Sequence, residues 1–438
     1  MSTFSIGIWL FVLMMVLIII RMPIAISMIL TGGIGYWMIA GLTPLLGILA
    51  ELPYSRVANH ELTVIPLFVL MGQFAAEGGI SQALYRAARA WVGHHRGGIA
   101  MATIGGCAAF GSICGSSVAT GATMATVALP EMRRYGYSGA LSTGVLAAGG
   151  TLGILIPPSI ILVIYAILTE TSLAHLFLAA MIPGALATIG YGLAIFLYVR
   201  INPKAGPRAE KSEWAERLSS LKTVWPVATI FLVVIGGIYL GVFTPTEGAA
   251  IGAASTGLLA WFVGGMRWDG VRKSIYETAK ISGMIFLILI GAELYSAFLA
   301  LSQLPQALAE WIGTLGWKPM TILVGIVILY LFLGCVMDSL AMILLTVPVF
   351  LPIVTGMDFG LPEDSVPIWF GIIVLSVVEV GMITPPIGIN VFVINSMAKD
   401  VPMTESFKGV MPFFLSDLVR ISLIVAFPVL SLKLAGLM

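Results

Sequence analysis

A stretch of small and hydroxyl side chains is the first feature of this 438-residue sequence that could do chemistry. It runs from Gly111 to Thr123, and ten of its thirteen residues are Gly, Ala, Ser or Thr. A helix that unwinds here inside a membrane would leave carbonyl oxygen atoms free, and each of them needs a partner. Sodium, a hard cation, takes oxygen ligands of this kind. The alternative is close packing of helices through small residues.

A second stretch, from Gly334 to Leu340, carries an acidic residue in apolar surroundings. A carboxylate such as that of Asp338 costs about 2.5–3.5 kcal/mol at membrane depth, so it must face a cavity or a partner. A bound sodium ion would be a suitable partner. Thr384 and Asn390 could supply further oxygen atoms, and Glu379 could either bind an ion or pair with a residue elsewhere in the bundle.

Two Pro-Pro pairs lie close to these stretches in sequence order, one in the segment 153–159 and one in the segment 381–390. Two successive prolines remove two backbone donors and push the preceding residue out of the α region. A helix broken in this way presents carbonyl groups that attract a cation and, beyond the break, amide groups that attract an anion. A kink without a ligand is the alternative, but two breaks at matching positions disfavour it.

The elements around these residues belong to a membrane protein. Hydrophobic residues make up 59% of the chain, charged residues 10%, and the mean hydropathy is +1.04. In a soluble domain roughly a quarter of the residues are charged. The composition therefore excludes a soluble enzyme, a nucleic-acid binder and a disordered scaffold. The net charge is +1, the three cysteines form no CxxC pair, and the sequence contains neither a catalytic dyad nor a nucleotide-binding GxxxxGK[ST] motif.

The apolar runs predict an all-α polytopic membrane protein with about ten to eleven transmembrane helices and two re-entrant hairpins. The hairpins are expected at 98–130 and 320–355. The spans are expected at 5–20, 24–41, 62–78, 139–170, 175–199, 225–241, 248–265, 281–299, 367–398 and 409–435, with 139–170 and 367–398 broken at Pro-Pro. With both hairpins re-entrant, 18 of the 22 Lys and Arg residues fall on one side, which is therefore cytoplasmic, and the N-terminus is periplasmic.

The two halves of the chain share a set of anchor residues. The order of helix, hairpin and broken helix is the same in both, and the orientation is opposite, as in transporters with inverted repeats. The matched residues are Gly111 and Ser116 with Gly334 and Ser339, Gly153, Pro157 and Pro158 with Gly381, Pro385 and Pro386, and Gly72 with Gly291.

Other polar residues have structural interpretations. Segment 80–96 is amphipathic and predicts an arm helix in the inner interface, with a frayed helix end as the alternative. Asp417 and Arg420 are three residues apart, which favours an ion pair on one helix. Glu247 follows Thr244 at the spacing of a helix cap. Glu293 could face the transport path or extend towards the membrane surface.

Four motifs give the sequence a family resemblance. They are Gly115–Ala119, Leu155–Ser159, Phe243–Glu247 and Gly381–Pro386. Together they resemble the large membrane subunit of tripartite ATP-independent periplasmic (TRAP) transporters, over nearly the whole chain. The broader fold is similar to that of the ion-transporter superfamily.

The resemblance implies a scaffold and an elevator-type transport domain. The expected segments are N-terminal scaffold helices at 1–60, a first transport repeat at 61–174, further scaffold helices at 175–280 with a cytoplasmic linker at 200–224, a second repeat at 281–400 and a C-terminal helix at 401–438. The implied partners are a small four-helix membrane subunit, a periplasmic substrate-binding protein, the lipid bilayer and an organic acid. No four extra spans precede residue 5, so we expect the small subunit to be a separate chain.

The resemblance also assigns the polar stretches to two sodium sites that flank a substrate anion. The expected sodium ligands are Ser112, Gly115, Ser116, Gly153, Pro157, Gly334, Asp338, Ser339, Glu379, Gly381 and Thr384. The expected substrate contacts are Ser116, Ser117, Pro158, Ser159, Pro386 and Asn390.

The function expected from these features is import of an organic acid across the bacterial inner membrane, driven by sodium and without nucleotide. The acid would be a dicarboxylate, sialic acid, another sugar acid or a sulfonate. One alternative is a sodium- or proton-coupled carboxylate symporter that needs no binding protein. Another, of a different class, is an anion channel or a structural membrane scaffold.

Overall fold

The computed structural model describes residues 2–20 and 22–437, which form α-helices with short connections and no β-strand among them. The helices are α1 Thr3–Ile19, α2 Ile24–Ala40, α3 Leu42–Val57, α4 Val64–Glu77, α5 Ile80–Val92, α6 Gly98–Cys114, α7 Ser117–Arg134, α8 Gly139–Leu155, α9 Ile160–Thr169, α10 Leu173–Ile201, α11 Trp214–Tyr239, α12 Pro245–Phe262, α13 Trp268–Ser302, α14 Leu304–Thr314, α15 Pro319–Gly334, α16 Ser339–Thr355, α17 Val366–Ile383, α18 Ile389–Met397, α19 Met403–Ala426 and α20 Val429–Leu432.

The predicted fold class, an all-α polytopic membrane protein, is confirmed. Within the described ranges, five helices (α10, α11, α13, α17 and α19) are long and apolar enough to cross a membrane, and two bent pairs raise the number to seven. Helices α1, α2, α6, α15 and α16 are apolar but shorter. A 17-residue helix is about 25 Å long, less than the ~30 Å of a bilayer core, so these helices depend on their neighbours to complete a crossing or turn back within the membrane.

Several helices differ from the predicted spans, among them α14 (Leu304–Thr314), where no element was predicted. Helix α3 begins after Gly41, which has a φ of 92°, and no span was predicted there. Helix α13 begins at Trp268 rather than near 281, because its charged first turns can project beyond the apolar layer. The predicted last span, 409–435, is wrong at its C-terminal end. Helix α19 ends at Ala426 because Pro428 holds Phe427 out of the helical region, at φ −128° and ψ 80°.

The arm predicted at 80–96 is a separate helix, α5. Gly79 has a positive φ of 68°, and the axis turns by 65° between α4 and α5. One face of α5 is buried, with Ile80, Leu84 and Tyr85 inside, whereas Trp91 is 39% exposed. The polar linker predicted at 200–224 is irregular only at 202–213, because α10 continues to Ile201 and α11 begins at Trp214.

Each half contains a hairpin packed on a broken helix. Helices α6 and α7 form the first hairpin and pack on α8, and helices α15 and α16 form the second and pack on α17. The halves also interlock: α18 packs on α7 and α8, and α9 packs on α16. Each hairpin therefore contacts the second piece, α18 or α9, of the broken helix that belongs to the other half.

Helices α10 and α19 lie on this central body. They pack against each other and against α8 and α17. Trp369 of α17 donates a hydrogen bond from Nε1 to the carbonyl oxygen of Ile424 at 3.0 Å. A second group of helices pairs α2 with α13 and α4 with α12. The division into scaffold and transport segments stays a prediction, and from its packing we expect α10 to move with the central body if that body moves.

Candidate functional site

The first hairpin turns within two residues. Helix α6 ends at Cys114, Gly115 has a φ of 63°, and Ser116 is extended. A positive φ is favourable for glycine and strained for other residues. The hydroxyl oxygen of Ser116 accepts a hydrogen bond from the backbone N–H of Ala119 at 3.5 Å and so caps the start of α7. The turn therefore depends on the Gly-Ser sequence at this point.

The second hairpin turns over the four residues 335–338. Asp338 is extended at the start of α16, and its Oδ1 accepts a hydrogen bond from the N–H of Ala341 at 2.9 Å. Asp338 and Ser116 thus occupy the same capping position in the two hairpins. The sequence match had placed Ser116 opposite Ser339, and the difference arises because the second turn is longer than the first.

The two hairpin tips line one cavity of about 640 Å³. Its other walls come from helices α2, α4, α8, α9, α13, α17 and α18 and are mainly apolar. The predicted site residues that face this cavity are Gly115, Ser116, Ser117, Asp338 and Ser339. The structure therefore brings together residues that are more than 200 positions apart in the sequence.

Gln73 also lines this cavity, although it is not among the predicted site residues. It lies on α4 directly after Gly72, one of the matched glycines. A Cβ atom at Gly72 would lie 3.0 Å from the Cα of Cys114, so α4 passes close to the first tip at this point. The match of Gly72 with Gly291 therefore marked this part of α4. The surrounding apolar sequence, however, gives no indication that the Gln73 side of the helix faces the tips.

The predicted residues at the breaks are not among those that line the cavity. Ser159 is fully buried, and its hydroxyl oxygen accepts a hydrogen bond from the N–H of Leu162 at 3.4 Å. Asn390 is 2% exposed and donates from Nδ2 to the carbonyl oxygen of Ala147 at 3.3 Å. The Pro157–Pro158 and Pro385–Pro386 peptide bonds are cis. Ile154 and Ile160 beside the first break, and Met382 and Ile389 beside the second, do line the cavity, so both breaks adjoin it.

Matched glycines make this close arrangement feasible. A Cβ atom built at Gly111 would lie 2.7 Å from the Cα of Gly153, and one built at Gly381 would lie 2.5 Å from the Cα of Gly334. Contacts this short are incompatible with any side chain, because the atoms they meet belong to the backbone. In each half, therefore, the hairpin and the broken helix cross at a pair of glycines, which explains why these positions match between the halves.

Thr120, which lies in the Gly111–Thr123 stretch but outside the predicted ligand set, supplies a further oxygen atom. Its hydroxyl oxygen is buried and has no hydrogen-bond partner within the described part of the chain. A Cβ atom at Gly153 would lie 2.6 Å from this oxygen and 2.8 Å from the carbonyl oxygen of Ser116. Two oxygen atoms thus converge beside Gly153, close to the first tip.

The remaining predicted hydroxyl ligands are bonded within their own surroundings. Ser112 donates to the carbonyl oxygen of Ala109 at 2.8 Å, and Thr384 donates to that of Val380 at 2.5 Å. Ser117 donates to the sulfur of Met382 at 3.5 Å, which links the first tip to the end of α17. Because a hydroxyl oxygen keeps acceptor capacity while it donates, these bonds leave the oxygen atoms able to bind a cation.

Replacing Gly153 by Ala is expected to destabilise the protein by about 1–3 kcal/mol, because the new methyl group would meet Thr120 and the backbone of Ser116. Gly192 provides a matched control, because it lies inside helix α10 with nothing within 4 Å of its Cβ position. Gly192→Ala should leave stability unchanged or raise it by up to ~1 kcal/mol. Thermal unfolding in detergent measures both. Equal stability of the two variants would contradict the tight crossing.

Glu379, predicted as a sodium ligand or as a partner of another residue, forms a buried cluster away from the cavity. Its Oε2 lies 2.8 Å from Nη2 of Arg420, and the same nitrogen lies 3.0 Å from Oδ1 of Asp417. Tyr191 donates to Oδ2 of Asp417 at 2.7 Å. All three charged side chains are at most 3% exposed. The predicted Asp417–Arg420 pair is confirmed, and the cluster joins α17, α19 and α10.

Two other predicted roles are resolved by direct contacts. Glu247 and Thr244 form a reciprocal capping box at the start of α12, as predicted. Glu293 pairs with Arg56 of α3, and both line a cavity together with Leu168 of α9 and Pro348 of α16. Both residues are therefore explained by partners in the chain.

Two membrane hairpins whose tips meet in one cavity, each backed by a broken helix, define a polytopic membrane transporter. The sequence model of the family described as "Tripartite ATP-independent periplasmic transporter, DctM component" matches residues 11–430. The chain belongs to this family, as a large permease subunit, and is a multi-pass protein of the inner membrane.

Relatives agree with this assignment, and a solved structure is similar in fold. The C4-dicarboxylate TRAP transporter large permease protein DctM of Pseudomonas aeruginosa is 37% identical over 87% of each chain. The sialic acid TRAP transporter large permease protein SiaM of Vibrio cholerae is 30% identical over 89% of each chain. The crystal structure of the Alcanivorax borkumensis YdaH transporter is similar in fold, with a TM-score of 0.61 over 89% of each chain and 17% identity.

Proposed function

We propose that this permease imports an organic acid together with sodium ions. The observation that carries the proposal is the shared cavity, because the oxygen-bearing tips of both hairpins face it. A cation site and an anion site at the tips would be close enough to influence each other directly. The mainly apolar walls suit the carbon skeleton of a small organic acid and lower the local dielectric below that of bulk water, which strengthens electrostatic interactions at the tips.

Sodium ions would be bound at both tips. At the second tip, Asp338 supplies a carboxylate with one oxygen engaged in the helix cap and the other available. At the first tip, Ser116 and Thr120 supply oxygen atoms, of which the Thr120 hydroxyl has no partner in residues 2–20 and 22–437. Serine and carbonyl oxygens at both turns would complete the ligand sets. The predicted sodium ligands that lie at the glycine crossings, Gly153, Gly334 and Gly381, would contribute their backbone carbonyl groups.

The substrate anion would lie between these ions, with Ser116, Ser117 and Gln73 as candidate hydrogen-bond partners. The names of these two relatives refer to C4-dicarboxylates and sialic acid and support a carboxylate-bearing substrate. Binding of ions would order the tips and create the anion site. This coupling must be reciprocal, so the substrate should also raise sodium affinity.

The energy would come from the sodium gradient and the membrane potential. Each sodium ion that enters gains about 2.3 kcal/mol per 100 mV of inside-negative potential, and each negative charge on the substrate offsets the same amount. Two sodium ions with a monovalent anion would therefore be electrogenic. The interlocked halves would move as one body against α2, α4, α12 and α13 in an elevator-type cycle. This differs from the expected segments, in which α4 and most of α13 belonged to the transport repeats at 61–174 and 281–400.

A small membrane subunit and a periplasmic binding protein are expected to work with this chain, as in its family. Proteoliposomes that contain all three proteins should take up the ligand of the cognate binding protein when an inward sodium gradient is imposed. The chain alone should not import it. Radiolabelled uptake measures the result, and a potassium gradient of equal size is the control.

Two outcomes would assign another function. Robust sodium-dependent import by the isolated chain would indicate a carrier that needs no binding protein. A flux that neither saturates nor responds to sodium would indicate an anion channel. The matched broken helices favour alternating access over a permanent pore, and so support the first proposal.

A further inference from the structure

A groove rich in positive charge lies apart from the transport cavity, where α10 ends. Its volume is about 340 Å³, and Arg96, Arg200, Arg208 and His95 contribute to its lining. Phe196 and Val199 of α10 form an apolar part of the same lining. No acidic residue lines it, and the three arginines form no ion pair with any other described residue. The groove therefore combines an uncompensated positive charge with an apolar surface.

Backbone hydrogen bonds hold the groove in shape. The chain that follows α10 folds back against the loop between α5 and α6. Gly97 donates to the carbonyl oxygen of Gly206 at 3.0 Å, and Ala209 donates to that of Gly93 at 3.2 Å. Gly97 has a φ of 70°, and a Cβ atom there would lie 3.0 Å from Val199. The arginines are thus carried by segments that are fixed to one another.

The position of the groove relates it to the membrane surface. Leu193, Phe196 and Leu197 on α10 are 55%, 48% and 49% exposed, as expected for a face in contact with lipid. Arg200 lies one turn after Phe196, in the last turn of the same helix. The apolar part of the groove therefore continues the exposed apolar surface of α10, and we expect its charged part at the level of the lipid headgroups.

The electrostatic environment agrees with an anion-binding surface. His94, adjacent to the groove, has a pKa lowered by partial burial, and the positive charges of His95, Arg217, Lys211 and Arg208 lower it further. The positive-inside distribution puts this end of α10 in the cytoplasmic leaflet, where anionic lipids attract basic segments.

We propose that this groove binds an anionic phospholipid, with the phosphate group among Arg96, Arg200 and Arg208 and an acyl chain along Phe196. The lipid would join the end of α10 to the loop that leads into the first hairpin. A phosphate is suited to arginine because the guanidinium group donates two parallel hydrogen bonds. A free anion would use the charges but not the apolar surface.

The test uses the purified full chain in detergent. Binding of dioleoylphosphatidylglycerol is measured by native mass spectrometry, with dioleoylphosphatidylcholine as the neutral comparison. Each arginine should contribute about a fivefold gain in affinity, so the variant R96Q/R200Q/R208Q should bind phosphatidylglycerol on the order of 100-fold more weakly. The control variant K222Q/R267Q/R272Q removes the same charge from exposed positions outside the groove and should retain the affinity of the wild type.

Three results would overturn the proposal. The first is equal binding by the groove variant and the control variant. The second is equal affinity for phosphatidylcholine and phosphatidylglycerol, which would show that charge does not select the lipid. The third is full displacement of phosphatidylglycerol by millimolar inorganic phosphate or by a glutamate-rich peptide, which would assign the groove to a soluble anion or to a protein partner. Circular dichroism of both variants verifies that each is folded.

Discussion

The Arg420→Met variant is expected to lose about 3–5 kcal/mol of stability, because removal of one partner leaves buried charges without compensation. Arg420 is the cation for both Glu379 and Asp417, and neither carboxylate has access to solvent. The same nitrogen, Nη2, contacts both carboxylates, and the cluster holds no second cation that could replace the charge of Arg420. Thermal unfolding in detergent and the yield of monodisperse protein measure the effect.

Two controls separate buried charge from loss of packing. The triple variant E379M/D417L/R420M removes all three charges and replaces them with apolar side chains, which is often neutral for buried ion pairs. We expect it to be clearly more stable than Arg420→Met alone. Arg133→Met breaks the exposed pair with Asp400 and should cost less than ~1 kcal/mol. If Arg420→Met is as stable as Arg133→Met, the cluster does not hold the helices together.

The Asp338→Asn variant is expected to raise the sodium concentration needed for half-maximal uptake about 10–100-fold. Losses of this size follow even when a residue that only orients a metal ligand is removed. Asparagine caps helices as well as aspartate does, so the N–H of Ala341 keeps its acceptor and the turn keeps its shape. The substitution therefore removes the negative charge with little other change. Sodium-dependent uptake and sodium-dependent thermal stabilisation both measure it.

Two further variants define this effect. Asp338→Ala removes the cap as well as the charge, so it should show the same loss of sodium response together with about 1 kcal/mol lower stability. Asp364→Asn removes an exposed carboxylate from the loop before α17 and should leave the sodium response unchanged. A wild-type response to sodium in Asp338→Asn would exclude Asp338 as a ligand, whatever the effect of the other two.

Local sequence features determined the main elements of the site. Gly115 and Ser116 form a turn because one tolerates a positive φ and the other caps a helix, and the Pro-Pro pairs interrupt α-helices wherever they occur. The Asp417–Arg420 pair and the Thr244–Glu247 capping box also follow from spacing along one helix. These features act within a few residues of each other, so the sequence alone was sufficient to predict them.

The tertiary structure decided which of these elements meet and which side chains face the cavity. Glu379 lies on α17, where every residue except Pro367 is buried. A helix that is apolar on all sides has no periodic pattern to indicate its orientation, so the sequence left open whether Glu379 binds an ion or pairs with Arg420. For the same reason the apolar sequence of α4 did not indicate that Gln73 faces the cavity, and the assignment of Ser159 and Asn390 to the substrate stays a prediction. The rotation of a helix about its axis is fixed by contacts with helices far away in the chain, here by the glycine crossings and by the interlocking of the two halves.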